Sequence, residues 1–293
     1  MNTVLLLGRT GQVGWELERS LQPLGRVVAC ARSEADLSRP ETLRALVERV
    51  RPDVIVNAAA YTAVDAAEQE EDLAYRINAD GPAVLAEAAR ELNAWLVHYS
   101  TDYVFDGTRG PYSETDATRP LNAYGRTKRA GEEAIAAAGC KHVILRTSWV
   151  YGARGKNFLN TMLRLAREQE VLRVVDDQIG APTWSRTIAD VTAAILTRLD
   201  ERRFSPDMSG IYHLASQGET SWYGFARLII EETRSLRESS PRIEAISTEA
   251  YPLPAQRPRD SRLDCRKLTE IFRLTFPTWQ DAARLCFKDS LVK

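Results

Sequence analysis

Short apolar runs recur along the first half of the chain, and stretches with apolar residues at helical spacing separate them. Val4 to Leu7, stopped by Gly8, fits a strand buried on both faces of a parallel sheet. Further strands are predicted over Arg26–Ala31, Asp53–Asn57, Trp95–Ser100 and Val143–Thr147. Between them, Leu17 and Leu21 mark a helix opening at Trp15. Ser38-Arg39-Pro40-Glu41 reads as a capping box for a helix with Leu43, Leu46, Val47 and Val50 on one face, ended by Pro52. A long helical region is predicted from about Ala66 to Asn93, interrupted near Gly81-Pro82, and another helix around Tyr124. This unbroken alternation predicts an α/β fold with right-handed crossovers and a doubly wound parallel sheet over residues 1–152. Beyond Gly152 the elements shorten: helices near Phe158–Glu168, Ile188–Leu199 and Trp222–Arg237, and a strand Ile211–Leu214, joined by polar segments containing proline. Residues 153–293 therefore read as a smaller α/β region that grips a substrate, with some return to the main sheet.

Composition narrows the classes. The 293 residues carry 39 basic against 40 acidic side chains, a formal net charge of −1, so no electrostatic footprint for nucleic acid or an anionic membrane is present. No apolar segment reaches the ~20 residues of a membrane span, and the N-terminal run is too short for a signal peptide. A cytoplasmic protein is expected. Four scattered cysteines and three histidines, none at metal-ligand spacing, leave disulfides, structural zinc and a Ser-His-Asp triad unsupported.

The chemistry is concentrated at strand ends. Gly8-Arg9-Thr10-Gly11-Gln12-Val13-Gly14 places Gly-x-x-Gly-x-x-Gly between a strand and a helix. The first glycine makes the turn, the second lets a pyrophosphate approach the helix N-terminus, and the third lets helix pack on strand, which makes the fold Rossmann-like. After the second strand, where an acidic residue would bind a ribose 2′-hydroxyl, stand Ala31, Arg32 and Ser33. A cation and a hydroxyl suit a 2′-phosphate, favouring NADPH over NADH, against the competing reading of Arg32 as a solvated loop charge. The small residues Ala58, Ala59 and Ala60 before Tyr61 let a ligand approach the third strand's end. Ser100, Thr101 and Asp102 close the fourth strand, putting two hydroxyls and a carboxylate where a cofactor's reactive ring should lie, and His98 on that strand reads as a satisfied core histidine. Tyr124 and Lys128 lie one helical turn apart. A lysine beside a phenol favours the phenolate, making Tyr124 a candidate proton donor or acceptor, and Thr101 could help stabilise a developing alkoxide. The cationic tail Gln256–Leu263 suits a diphosphate or a solvated basic loop.

These residues resemble the extended short-chain dehydrogenase/reductase superfamily. Within it, Gly11–Leu17, Val54–Ala60, Thr62–Asp65, Tyr99–Phe105, Pro120–Asn122, Arg146–Tyr151 and Asp177–Thr183 resemble the dTDP-4-dehydrorhamnose reductase family nearly end to end. The resemblance implies NADPH-dependent reduction of the C4 ketone of dTDP-4-dehydro-β-L-rhamnose, the last step toward dTDP-L-rhamnose for bacterial surface glycans. It implies that Tyr124 donates the proton, Lys128 lowers its pKa and holds the nicotinamide ribose, and Thr101 bonds the same oxygen. Asp102 and Trp149 would contact the sugar. Gly11, Gln12, Val13, Asp36, Leu37, Ala59, Ala60 and Tyr99 would contact the cofactor.

Two departures stand out. Some relatives carry an acidic residue at the position of Ala31, and some dimerise through a magnesium ion held by glutamates where this chain has Glu16, Arg186 and Asp289. Arginine cannot ligate magnesium, so no metal is expected there, and the chain is expected as a metal-free homodimer or a monomer. The alternatives are a reductase of another dTDP-4-keto-deoxysugar, a nucleotide-sugar 4,6-dehydratase or epimerase, and a non-catalytic NADP-binding regulatory subunit. Tyr103, where dehydratases resembling this chain place a glutamate, argues against elimination.

Overall fold

A computed structural model of the chain describes residues 3–199, 208–234 and 240–291. In chain order it begins with β1 (Thr3–Leu7), α1 (Gln12–Ser20), β2 (Arg26–Cys30), α2 (Pro40–Val50) and β3 (Val54–Asn57). It continues with α3 (Val64–Ala67), α4 (Glu71–Tyr75), α5 (Gly81–Glu91), β4 (Trp95–Thr101), α6 (Ala123–Ala138) and β5 (Lys141–Thr147). The strands pair in parallel in the order β2-β1-β3-β4-β5, and the strand Gly210–His213 adds beside β5 as the sixth. The sheet is thus the predicted doubly wound one. Its order reverses between β1 and β3, where open α/β sheets bind ligands at the strands' C-terminal ends.

Both faces of the sheet are buried, which is why β1 is a continuous apolar run. Leu5, Leu7, Ile55, Leu96 and Ile144 pack with side chains of α2 and α5 on one face. Val4, Leu6, Val56, Val97 and Leu145 pack on the other with Leu17 of α1 and with Ile188, Ile195 and Leu196 of the helix Ser185–Arg198. That helix, from the second half of the chain, and the sixth strand both return to the first half. A third apolar cluster joins the helices Phe158–Glu168, Trp222–Glu232 and Trp279–Leu291.

Three local expectations need correction or a limit. Ser38 does not cap α2: Arg39 holds the N-cap position without a side-chain bond, and the Ser38 amide and hydroxyl both donate to Asp36 Oδ1, at 2.9 and 2.8 Å. The Asx-type turn takes the hydroxyl that a capping box would need. The long helical region breaks between α3 and α4 and not at Gly81-Pro82, which the helix runs through. A π-helical turn over Arg76–Asp80 precedes Pro82, where a missing proline N–H does no harm. The helix from Trp222 is described to Glu232, and residues 235–237 of its predicted extent lie outside the described residues.

Candidate active site

A cleft of about 720 Å³ opens over the C-terminal ends of β1, β3 and β4. Gly8 leaves β1 with φ +84°, and a Cβ there would lie 2.7 Å from the Ala59 nitrogen. A Cβ on Gly14 would stand 2.0 Å from the Gly8 carbonyl oxygen, so α1 approaches the turn as closely as only glycine allows. Gly8, Gly11, Gln12 and Val13 line the cleft, as do Arg32, Asp36, Leu37, Ala59, Ala60 and Tyr99. Gly14, Ser33 and Tyr61 do not. Gly14 acts through packing, and Tyr61 is turned away, its phenol donating to Glu70 at 2.6 Å and its amide to Asn78 at 2.9 Å.

At the inner end of the cleft the chain gathers Thr101, Asp102, Tyr124, Lys128 and Trp149. Asn122 begins α6, its Oδ1 accepting the Gly125 amide at 2.8 Å while its amide donates to the Gln256 carbonyl at 2.7 Å. A Cβ on Gly125 would fall 2.2 Å from the Tyr103 carbonyl oxygen, so this glycine lets the turn bearing Tyr124 seat on the segment Asp102–Val104. Tyr124 meets Tyr103 edge to face at 5.6 Å. Burial pushes the Tyr124 phenol up to about 12, and the Thr101 hydroxyl beside it pulls the other way. The lowering expected from Lys128 is not found, because its Nζ faces Tyr99 and His98, and the phenol stays protonated at neutral pH. Lys128 is fully buried, and its Nζ donates to the Tyr99 carbonyl at 2.6 Å and meets His98 Nε2 at 3.1 Å. Burial brings its pKa down to about 8. His98 is the satisfied core histidine expected, yet the group it contacts is the candidate site lysine.

Asp102 is 3% exposed and is pushed up to about 6, chiefly by burial. Its folded pKa lies above the unfolded value of about 4, so the fold binds this proton more tightly than the unfolded chain. The group's contribution to stability is therefore greatest below pH 4 and is lost as pH rises through 6. Asp102→Asn should stabilise the protein at pH 8 by on the order of 2 kcal/mol, with the gain vanishing near pH 4. Denaturant midpoints at the two pH values check this. A variant no more stable at pH 8 than at pH 4, relative to wild type, would contradict it.

Two wall residues, Trp222 and Asn157, carried no sequence signal for the site. Trp222, from the smaller region, stacks on Trp149 at 3.7 Å and 9°, and Trp149 itself holds a left-handed φ of +49°. Asn157 donates to Gln12 Oε1 at 2.8 Å, tying the smaller region to the glycine turn. Ser100 Oγ and Thr147 Oγ1, both on cleft residues, are buried without a hydrogen-bond partner. The cationic tail is already paired: Arg257 donates to both oxygens of Asp65 at 2.5 and 2.6 Å, Arg259 pairs with Glu249, and Arg262 with Asp260 and Glu219. Asp260 stands within the tail, but Asp65 and Glu219 are distant in sequence and could not be matched to it. At the predicted dimer face, Arg186 donates to Asp289 at 3.1 Å, and its charge acts on Glu16. Among the described residues, no three His, Cys, Asp or Glu side chains are grouped to hold a metal.

A doubly wound sheet with a glycine turn at its switch point, and a Tyr and Lys one turn apart facing that cleft, is the arrangement of the extended short-chain dehydrogenases/reductases. Known relatives specify the branch. The family model for the RmlD substrate binding domain matches residues 1–292. The dTDP-4-dehydrorhamnose reductase of Burkholderia thailandensis is 53% identical, covering 98% of this chain and 99% of its own. That of Escherichia coli K12 is 50% identical, over 94% of each chain. The crystal structure of the Bacillus anthracis dTDP-4-dehydrorhamnose reductase, in complex with NADP, superposes with a TM-score of 0.91 at 35% identity, covering 99% of this chain and 100% of that one. The chain belongs to the dTDP-4-dehydrorhamnose reductase family.

Proposed function

We infer that this enzyme reduces the C4 ketone of dTDP-4-dehydro-β-L-rhamnose with NADPH, giving dTDP-L-rhamnose. The observation that carries the reading is the convergence of Tyr124, Thr101 and Lys128 at the inner end of the cleft that the glycine turn opens. The cleft walls fit a nicotinamide dinucleotide: Gly11 at the start of α1 carries no side chain where a pyrophosphate would approach the helix N-terminus, and Ser100 and Thr147 offer unpaired hydroxyls farther in. When bound, the cofactor supplies the hydride. Tyr124 gives its phenolic proton to the C4 oxygen, Thr101 donates to the same oxygen, and Lys128 holds the ribose and supports the phenolate left behind. Asp102 and Trp149 orient the sugar. Tyr103, 5.6 Å from Tyr124 between ring centres, offers no carboxylate for eliminating water.

The reading has the enzyme working in the cytoplasm; no helix among the described residues is long and apolar enough to cross a membrane. Should two copies pair through the face bearing Arg186 and Asp289, they do so without a metal. The test of function is NADPH oxidation followed at the nicotinamide absorbance with dTDP-4-dehydro-L-rhamnose, beside dTDP-4-keto-6-deoxyglucose. Turnover of the first and little of the second is expected. Preference for the second would move the assignment to another 4-keto sugar, and NADPH binding without turnover of either would favour a regulatory subunit.

Cofactor preference rests on Arg32, which lines the cleft with its side chain 72% exposed and 3.4 Å from Asp36. A charge-assisted bond to a 2′-phosphate is worth about 1.5–3 kcal/mol. Arg32→Ala should therefore lower kcat/KM for NADPH about tenfold or more relative to NADH. An unchanged ratio would remove Arg32 from cofactor selection.

A further inference from the structure

A line of polar groups runs behind the cleft. The Ala59 amide donates to Asn57 Oδ1 at 3.2 Å, Asn57 Nδ2 meets His98 Nδ1 at 3.1 Å, His98 Nε2 meets Lys128 Nζ at 3.1 Å, and Lys128 Nζ donates to the Tyr99 carbonyl at 2.6 Å. The direction of the line is fixed at its start. A backbone amide can only donate, so it takes the Asn57 carbonyl oxygen and leaves the Asn57 NH₂ facing the imidazole. His98 Nδ1 must then accept. A neutral imidazole that accepts at one nitrogen carries its proton on the other, so Nε2–H points at Lys128. An ammonium has three donors and no lone pair, and cannot accept it.

We propose that His98 is a positioning residue for Lys128, donating from Nε2 to the lone pair of the uncharged Lys128 amine in the cofactor-free protein at mildly alkaline pH. Flipping the Asn57 amide does not rescue an ammonium, because it sets the Asn57 NH₂ against the Ala59 N–H. A cationic His98 would place donors at both contacts. Burial, the larger cause and one that holds whatever the charge of Lys128, keeps the His98 pKa well below the usual range, so the ring is neutral. Burial likewise lowers Lys128, as noted above.

The other groups around the amine do not reverse the argument. On its own helix stand Tyr124, one turn before, and Glu132, one turn after. Glu132 draws Lys128 toward the charged form, but both its oxygens are taken by Arg146 of β5, at 2.8 and 2.6 Å. From β4 come His98, the Tyr99 carbonyl and, at its end, Thr101 with Asp102 just beyond; from β3 comes Asn57, acting through His98.

The arrangement couples charge to position. Protonating Lys128 consumes the lone pair that His98 occupies, so the ammonium must leave Nε2. A lysine acting as a cation beside ribose and phenolate therefore stands away from His98. The inference rests on Lys128 belonging to the reductase site, but its test uses no substrate, so either reading can fail while the other stands.

Three histidines and six lysines make the measurement direct. In the cofactor-free protein with ¹⁵N-labelled histidine, His98 should show a protonated, pyrrole-type Nε2 and an unprotonated, pyridine-type Nδ1 at pH 9, above the midpoint of about 8 at which Lys128 loses its proton. With ¹³C-labelled lysine, the Lys128 Cε resonance, assigned by its loss in Lys128→Arg, should titrate about two pH units below the exposed lysines. Asn57→Asp accepts at both ends of its link, so it should move the proton of His98 to Nδ1 and raise the Lys128 midpoint toward the others. A pyrrole-type Nδ1 in wild type would overturn the proposal, as would a Lys128 midpoint among the exposed lysines. A tautomer unchanged in a folded Asn57→Asp would overturn it too. Should that variant not fold, the two wild-type measurements decide alone.

Discussion

Replacing Tyr124 with phenylalanine should lower kcat by about 10²- to 10⁴-fold, the range expected for loss of a general acid, while changing the affinity for NADPH only a few-fold. The substitution keeps the ring, its edge-to-face contact with Tyr103 and the Gly125 seat on the Tyr103 carbonyl. It removes only the O–H. With the phenol pushed up to about 12, Tyr124 is the acid form throughout the range where the protein is assayed, and the Thr101 hydroxyl supports it after the proton leaves. Thr101→Ala should cost less, because it removes support and leaves the donor. A Tyr124→Phe enzyme within tenfold of wild type would show that another group delivers the proton.

The helix carrying Tyr124 and Lys128 is fastened to the sheet by one ion pair, and its loss should be the most destabilising single change near the site. Arg146 on β5 donates through Nε and Nη2 to the two oxygens of Glu132 on α6, with both side chains 3% exposed. The guanidinium also lies 5.1 Å over the Phe105 ring. Truncating one partner leaves the other as an uncompensated buried charge, at a cost of about 3–5 kcal/mol. Glu132→Ala should show this as a lowered urea midpoint with an unchanged slope. Adding Arg146→Met to a Glu132→Leu chain should recover much of the loss, since replacing a buried pair by apolar side chains is often neutral. A single variant within about 1 kcal/mol of wild type would mean that water reaches the pair.

The positions of the strands and of the glycine turn were legible because burial on both sheet faces imposes continuous apolar runs, and because a turn that close admits no Cβ at Gly14. Thr101, Tyr124 and Lys128 could be read as a set since each sits at a strand end or on one helix face. What the sequence hid depends on partners far along the chain. Ser38 looked like a cap until Asp36 took its hydroxyl. Arg257 and Arg262 looked free until Asp65 and Glu219 met them. Trp222 lies 73 positions after the Trp149 ring it stacks on, and no spacing rule links the two. His98 was rightly placed in the core, but its neighbour on the far side is set by the register of β4 against α6, which periodicity does not supply.

The reductase reading is tested most directly by following the transferred hydrogen. Wild-type enzyme given dTDP-4-dehydro-L-rhamnose and NADPH deuterated at the nicotinamide C4 should yield dTDP-L-rhamnose with one deuterium, on sugar C4, located by NMR of the product. Deuterium elsewhere on the sugar, or none in a product that has lost its ketone, would contradict direct hydride reduction at that carbon.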